Sequence, residues 1–324
     1  MAISLMVRKE ADTMLTTPME VLTQYPVRKS KQQKKAFRDA VQSYAKKLGY
    51  ESSIEKGSYG VHNVIIGDPE RAKYLLTAHY DTCARMVVPN LVTPCNIPFF
   101  ILYQIFVVLL ILVPAILAGV LLGFLSKSGA FAGTAAMIVY WVLLIGMMFG
   151  PANPSNANDN TSGVVTLLEI MRTLPENQRH KVCFVLFDLE EAGMLGSSAY
   201  RKAHKNATNT QLVLNMDCVG DGDHLLIFPN KKLRKDKKKL TSLYKACGYF
   251  GKKSLLVHEK GLFVYPSDQA NFPYGAAIAA CSKRKGLGYY YSRIHTPKDT
   301  VLDETNVNLL RAALTTFICC DAAQ

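Results

Sequence analysis

Val182-Cys183-Phe184-Val185-Leu186-Phe187-Asp188-Leu189-Glu190-Glu191-Ala192-Gly193 reads as a buried strand that runs into a charged turn. Adjacent carboxylates at a strand end carry a cost, because like charges resist sharing a site. A metal ion offsets it. One Glu can bind the cation while the other handles the proton of a water. The chain holds further residues of the types such a site needs: His79, Asp81, Asp159, Asp217 and His295.

Working outward from this stretch, residues 61–66 and 74–78 are short apolar or β-branched runs, hence strands, and the second leads into His79-Tyr80-Asp81-Thr82. Downstream, Leu212–Met216 is a strand that ends at Asp217, and 225–228 and 277–281 are further strands. Residues 1–50 look helical, with 34–48 stopping at Gly49. A turn-rich loop, 151–160, leads into a helix at 161–174, where Val164, Leu167, Leu168 and Met171 recur at helical spacing. Helices are also predicted at 196–203, 240–250 and 307–323. The fold expected is α/β, with a mixed, largely parallel central sheet flanked by helices. Sites in such sheets gather at the carboxyl ends of strands.

Between Asp81 and Asp159 the composition changes. From Pro98 to Phe149 only Lys127 is charged. Positions 98–125 are 28 uncharged, mostly apolar residues, and 129–149 are another 21. A hydrocarbon core takes about 20 apolar helical residues to cross. With Ser126-Lys127-Ser128-Gly129 as a tight polar turn, 98–150 is predicted to be a transmembrane helical hairpin, Pro114 kinking its first span. A pair of buried core helices is the alternative. The hairpin would interrupt one discontinuous domain, made of 1–97 and 151–324.

Met1-Ala2-Ile3-Ser4-Leu5-Met6-Val7-Arg8 has no long apolar stretch, so no secretory signal is expected. A hairpin leaves both flanks on one side, and the soluble part of this integral membrane protein is placed in the cytoplasm. The net charge of +13 favours a face near anionic lipid. Lys127 in the turn is matched by Arg85 upstream, so the positive-inside count adds little. The eight cysteines form no Cys-x-x-Cys pair, which removes support for a structural zinc knuckle. A disulfide framework is not expected, and Cys183 and Cys218 read as core residues.

The one biased segment runs from Lys231 to Lys239, with seven basic residues in nine. It reads as a solvated loop and helix start. The sharper alternative is contact with anionic lipid headgroups beside the hairpin. No aromatic stacking motif is interleaved with the lysines, so nucleic acid is not expected as a partner. No Gly-x-Ser-x-Gly elbow is present for a serine hydrolase.

Each metal-ligand candidate is weak alone, since a lone His is more often structural and an Asp before a helix is usually a cap. Jointly they form a mixed nitrogen and oxygen set that suits zinc. Two metals sharing a carboxylate would account for so many acids. His79-Tyr80-Asp81-Thr82, Asn158-Asp159-Asn160-Thr161-Ser162-Gly163-Val164, Phe187-Asp188-Leu189-Glu190-Glu191-Ala192-Gly193-Met194-Leu195-Gly196-Ser197, Asn215-Met216-Asp217 and Ile294-His295-Thr296-Pro297-Lys298-Asp299-Thr300 resemble, in order, the blocks of the M28 family of co-catalytic zinc peptidases.

The resemblance implies two zinc ions per chain. Asp159 would bridge them, with His79 and Asp217 on one and Glu191 and His295 on the other. Glu190 would be the general base, and Asp81 would fix the imidazole of His79. The implied activity is hydrolysis of peptide amides, with a free N-terminus as the expected substrate handle. Tyr289, Tyr290 and Tyr291, just before His295, are candidates for oxyanion contact, with core packing as the alternative. The spacing from Asp81 to Asp159 exceeds the family's usual short loop, and the hairpin fills it. A site opening close to a bilayer follows as an expectation.

Two other functions share the fold. Glutaminyl cyclases, which the same resemblance brings in, rely on Trp residues, whereas the one Trp here, Trp141, lies within a predicted span. Non-catalytic scaffolds of this fold lose their ligands, and here the ligand set and the base are all present.

Overall fold

A computed structural model of the chain describes residues 15–320. The expectation of no secretory signal over residues 1–8 lies outside the described residues, as do the start of the helical stretch at 1–50 and the end of the helix drawn to 323.

The strands are β1 (Ser52–Lys56), β2 (His62–Ile66), β3 (Tyr74–His79), β4 (Val182–Phe187), β5 (Leu212–Met216), β6 (His224–Pro229), β7 (Gly248–Phe250), β8 (Lys253–Val257), β9 (Gly275–Arg284) and β10 (Gly288–Tyr290). They form one sheet in the order β1-β2-β4-β3-β5-β9-β6-β8-β7, with β10 beside β9. The centre, β4-β3-β5-β9, is parallel. β2 joins it antiparallel on one side and β6 on the other. The fold is therefore a mixed α/β sheet whose parallel centre is buried on both faces.

The longer helices are α1 (Lys31–Lys47), α2 (Ile97–Ser126), α3 (Gly129–Phe149), α4 (Gly163–Thr173), α5 (Leu195–Ala203), α6 (Lys237–Tyr244) and α7 (Glu304–Cys320). Strand alternation divides the core between two faces. Leu76, Phe184 and Leu214 point to one face, where Phe37 and Val41 of α1, Leu167 and Leu168 of α4, and Leu310 and Leu314 of α7 cover them. Leu75, Val185 and Val213 point to the other, under Tyr200 of α5 and Phe272.

Several elements differ from the sequence expectation. The helix drawn over 240–250 is α6, which ends at Tyr244, and residues 248–250 instead pair with β8. The edge strand β1 is Ser-Ser-Ile-Glu-Lys, too polar to announce itself. α7 begins at Glu304 because the Asp303 carboxylate accepts the Thr305 amide at 2.8 Å, a cap read as loop in the sequence.

α2 and α3 are long and apolar enough to cross a membrane, with mean hydropathies of 3.2 and 2.0. They are not core helices, because only 17% and 6% of their most apolar windows are buried. Asn96 caps α2 and Ser128 caps α3, and Lys127 makes the turn in the left-handed conformation. The two helices approach through small residues. A Cβ on Gly119 would stand 2.8 Å from the Ala136 Cβ, and one on Gly123 would stand 2.5 Å from the Ala132 Cβ. Gly119-x-x-x-Gly123 is thus a close-packing motif, visible in the sequence but not used in its reading.

Candidate metal centre

The strand ends bring the chemistry together. His79 closes β3, Asp217 follows β5, Glu190 and Glu191 follow β4, and Asp159 sits in a turn of residues Ala157–Ser162 just before α4. His295 comes from the loop after β10. Asp159 lies at the centre. Its Oδ1 is 3.2 Å from His79 Nε2, and its Oδ2 is 3.0 Å from His295 Nε2. His79 Nε2 is also 3.8 Å from Asp217 Oδ1, and His295 Nε2 is 3.5 Å from Glu191 Oε2. The donors of His79, Glu190 and Glu191 lie within 4.8 Å of one another.

The backbone is arranged for this. Leu189 before Glu190, Cys218 after Asp217, and His295 itself all have φ between +56° and +63°. Non-glycine residues adopt that conformation at a cost of order 1 kcal/mol, and such positions cluster at functional sites. Gly163, where α4 begins, lets the Asp159 turn approach β5: a Cβ there would stand 2.3 Å from the Met216 carbonyl oxygen.

Asp81 does more than fix an imidazole. Its main-chain oxygen and its carboxylate lie 3.3 Å and 3.6 Å from His79 Nδ1. Its carboxylate oxygens also accept the Glu190 and Glu191 amides, at 3.0 Å and 3.3 Å.

The sequence reading missed several residues. Asp299 accepts the Asn158 and Asp159 amides at 2.8 Å and 3.0 Å and so holds the central turn. Burial and the nearby Asp159 push the Asp299 carboxyl up to about 7. Asn160 ties the turn to β5 by donating to the Met216 carbonyl at 2.9 Å. Cys83 has its sulfur within 4.8 Å of donors on Glu191 and His295. Burial, reinforced by Glu191 and Asp159, raises that thiol well above its usual range. Arg28 is a fully buried cation that donates to the Tyr80 and Tyr25 carbonyl oxygens at 2.5 Å and 2.6 Å. Only the block pattern Asp299-Thr300 after His295 offered a sequence signal for any of these.

The tyrosines divide. Tyr289 packs edge-on to His224 and His258. Tyr290 sits half-buried on β10. Tyr291 is buried beside Tyr265, whose hydroxyl donates to the Asp217 carbonyl at 3.0 Å. Strand alternation sends Tyr290 to the face opposite its two neighbours, and packing occupies Tyr289. Tyr265 thus contacts a candidate ligand residue directly.

The donor set fits a divalent metal. Glu191 Oε1 and both Asp268 carboxylate oxygens are buried without a hydrogen bond, which is costly unless a cation or proton satisfies them. Burial, opposed by His295 and reinforced by Asp159, lifts the Glu191 carboxyl to about 8. Burial disfavours the charged His295 imidazole, but Glu191 and Asp159 outweigh it and raise it to about 9. His79 is likewise held well above its usual range against burial, by Glu190, Asp159 and Asp217. As bare donors these groups keep extra protons, and a metal replaces them because ligands bind deprotonated. Two imidazoles with carboxylates match zinc.

A cluster of imidazole and carboxylate donors at the carboxyl ends of a buried parallel sheet defines the class of metallohydrolases. The chain belongs to peptidase family M28, whose sequence pattern matches residues 145–318. Among curated proteins none matches it. Solved structures share the fold. A Zn-dependent exopeptidase of Parabacteroides distasonis is 18% identical with a TM-score of 0.59, over 93% of this chain and 96% of that one. The LapA aminopeptidase of Legionella pneumophila is 14% identical with a TM-score of 0.56, over 95% and 70%. A glutaminyl cyclase of Tannerella forsythia is 16% identical with a TM-score of 0.54, over 91% and 93%.

Proposed function

We propose that the protein is a membrane-anchored aminopeptidase that uses two zinc ions to hydrolyse peptides with free N-termini. The observation that carries this is Asp159, whose two carboxylate oxygens face the imidazoles of His79 and His295 separately. His79 and Asp217 would hold one ion, Glu191 and His295 the other, and Asp159 both. Zinc bound there supplies Lewis acidity towards a carbonyl and makes water more acidic. Glu190, beside the ligands but free to move a proton, takes one from the attacking water and passes it to the leaving amine. Without metal, burial, reinforced by Glu191, Asp268 and Asp217 and opposed by His79, raises its carboxyl well above the ordinary range. Asp81 orients both the base and His79.

The membrane assignment rests on the length, hydropathy and exposure of α2 and α3. In this proposal they form a hairpin inserted at 98–150 into a domain made of 1–97 and 151–324. That domain stands on the cytoplasmic side, as the whole chain's net charge of +13 favours.

Metal analysis, together with hydrolysis of free and N-blocked peptides by detergent-purified protein and its Glu190→Gln variant, tests the proposal. Close to two zinc ions per chain, cleavage of free N-termini only, and loss of about 10²–10⁴-fold in the variant support it. Bound zinc with cyclisation of N-terminal Gln and no cleavage would transfer the protein to the cyclase activity. Absence of bound metal would leave a scaffold.

A further inference from the structure

The end of the hairpin nearest the sheet forms one wall of a cavity that closes on two candidate ligands. The cavity has a volume of about 210 Å³. Gln104 and Val107 of α2 and Met147 and Met148 of α3 line it together with Glu191 and His295. Met86 also lines it, with its sulfur 3.3 Å from His295 Nδ1 and its amide donating to the His295 carbonyl at 2.8 Å. Among the described residues no other charged side chain lines this cavity.

Helix lengths set its level. The 21 residues of α3 rise about 31 Å, close to one hydrocarbon thickness. α2 covers the same distance from the turn by about Phe106, so residues 97–105 reach beyond α3, by about 13 Å, towards the sheet. Gln104, Val107, Met147 and Met148 therefore share one level, where the apolar helices meet the rest of the protein. Several bonds hold that base in place. The Tyr103 hydroxyl donates to the Pro89 carbonyl, Lys29 Nζ donates to the Met148 carbonyl at 3.4 Å, and the Arg85 amide donates to the Pro151 carbonyl at 2.8 Å.

We propose that the base of the hairpin is a side-chain subsite of the reaction centre, taking a large, flexible apolar side chain from the residue next to the scissile amide. This deepens the peptidase proposal and rests on it. Thioethers adapt to irregular apolar shapes, and Met86, Met147 and Met148 supply three of them. A cavity of about 210 Å³ has room for a Leu, Met or Phe side chain. The substrate class is then peptides with a bulky apolar N-terminal residue, presented at the bilayer boundary where such residues partition.

Full-length zinc-loaded protein in detergent is assayed with the p-nitroanilides of Ala, Leu and Phe, beside the Val107→Trp and Met148→Trp variants. The wild type prefers Leu and Phe over Ala by 10-fold or more in kcat/KM. Each Trp variant removes that preference while staying within about threefold of wild type on Ala. Met148→Ala, which cannot overpack the cavity, keeps the Phe substrate at or above the wild-type rate. An unchanged profile in all three variants overturns the subsite. A second readout needs no turnover. A dipeptide with a diazirine-bearing leucine at its N-terminus is photo-crosslinked to the Glu190→Gln protein, and the labelled residues are located by mass spectrometry. Label on Val107, Met147 or Met148, lost on adding Met148→Trp, supports the subsite. Label elsewhere, or none, overturns it. Label on the hairpin without hydrolysis of any peptide would remove the peptidase activity and leave the subsite standing.

Discussion

Asp81 shows how much one buried carboxylate can organise. It faces the His79 imidazole and accepts the amides of both Glu190 and Glu191. In Asp81→Asn one oxygen becomes an NH2 directed at those donors. Zinc affinity, measured by competition with a chelator, should fall about 10–100-fold with the fold intact; unchanged affinity would reduce Asp81 to a packing residue. Arg28→Ala would strip the Tyr80 and Tyr25 carbonyls of their partners and open a cavity beneath Phe37, which its guanidinium covers. A loss of about 3 kcal/mol is expected in denaturant unfolding. His79, Asp159, Glu190, Glu191, Asp217 and His295 stood out in the sequence because their types and their positions beside strands are local facts. Asp299 did not, since its work is on an amide 140 positions away. Tyr265 and Arg28 escaped for the same reason: their contacts are made only once distant segments meet.

At the scale of elements, helix ends and helix contacts carry the testable detail. Asp303 caps α7 and pairs with Lys253 of β8 at 2.6 Å. Burial pushes its carboxyl up, but Lys253 and the Thr305 amide outweigh that and hold it below the usual range. Its stabilisation is therefore present above the unfolded carboxyl pKa of about 3.9 and is lost as the pH falls through its lowered value. Asp303→Asn should cost about 0.5–1 kcal/mol at pH 7 for this part-exposed pair, with the difference fading as the pH falls through that lowered value. A gap independent of pH would remove the ion pair from the account. In the hairpin, Gly119→Leu would force side-chain atoms into Ala136 and should cost about 1–3 kcal/mol, read as a lower thermal midpoint in detergent. An equal midpoint would mean that α2 and α3 do not pack through this face. β3, β4 and β5 were legible because a fully buried strand is a continuous apolar run. β1, β7, β8 and β10 were not, because these strands of three to five residues carry no long continuous apolar run and gain their structure from a neighbour.

Across the whole molecule, the sheet separates two surfaces. The candidate centre and the base of the hairpin lie at the carboxyl ends of β3 and β4. Lys237, Lys238 and Lys239 line a cleft with Tyr74 and Leu212, which begin β3 and β5 at the opposite end. Anionic-lipid contact through Lys231 to Lys239 remains a proposal, and this placement turns the run away from the bilayer that would hold the hairpin. The acidic centre couples metal to global stability. Chelation of a zinc-loaded sample should lower its thermal midpoint and zinc should restore it, by about 2.7 kcal/mol when free zinc reaches 100 times its Kd. No response to chelator or zinc would argue that the cluster binds no metal. The α/β class, the buried parallel strands, the apolar pair of helices and the residue types of the centre could be read from the residues in order, because hydrophobic period, span length and local chemistry are properties of neighbouring residues. Folding in three dimensions was needed to show which oxygen of Asp159 faces which imidazole, that Asp81 and Asp299 hold the ligand-bearing turns, and that the hairpin's base opens onto Glu191 and His295. Those are distances between segments far apart in the chain, and they exist only once the sheet has brought its strand ends together.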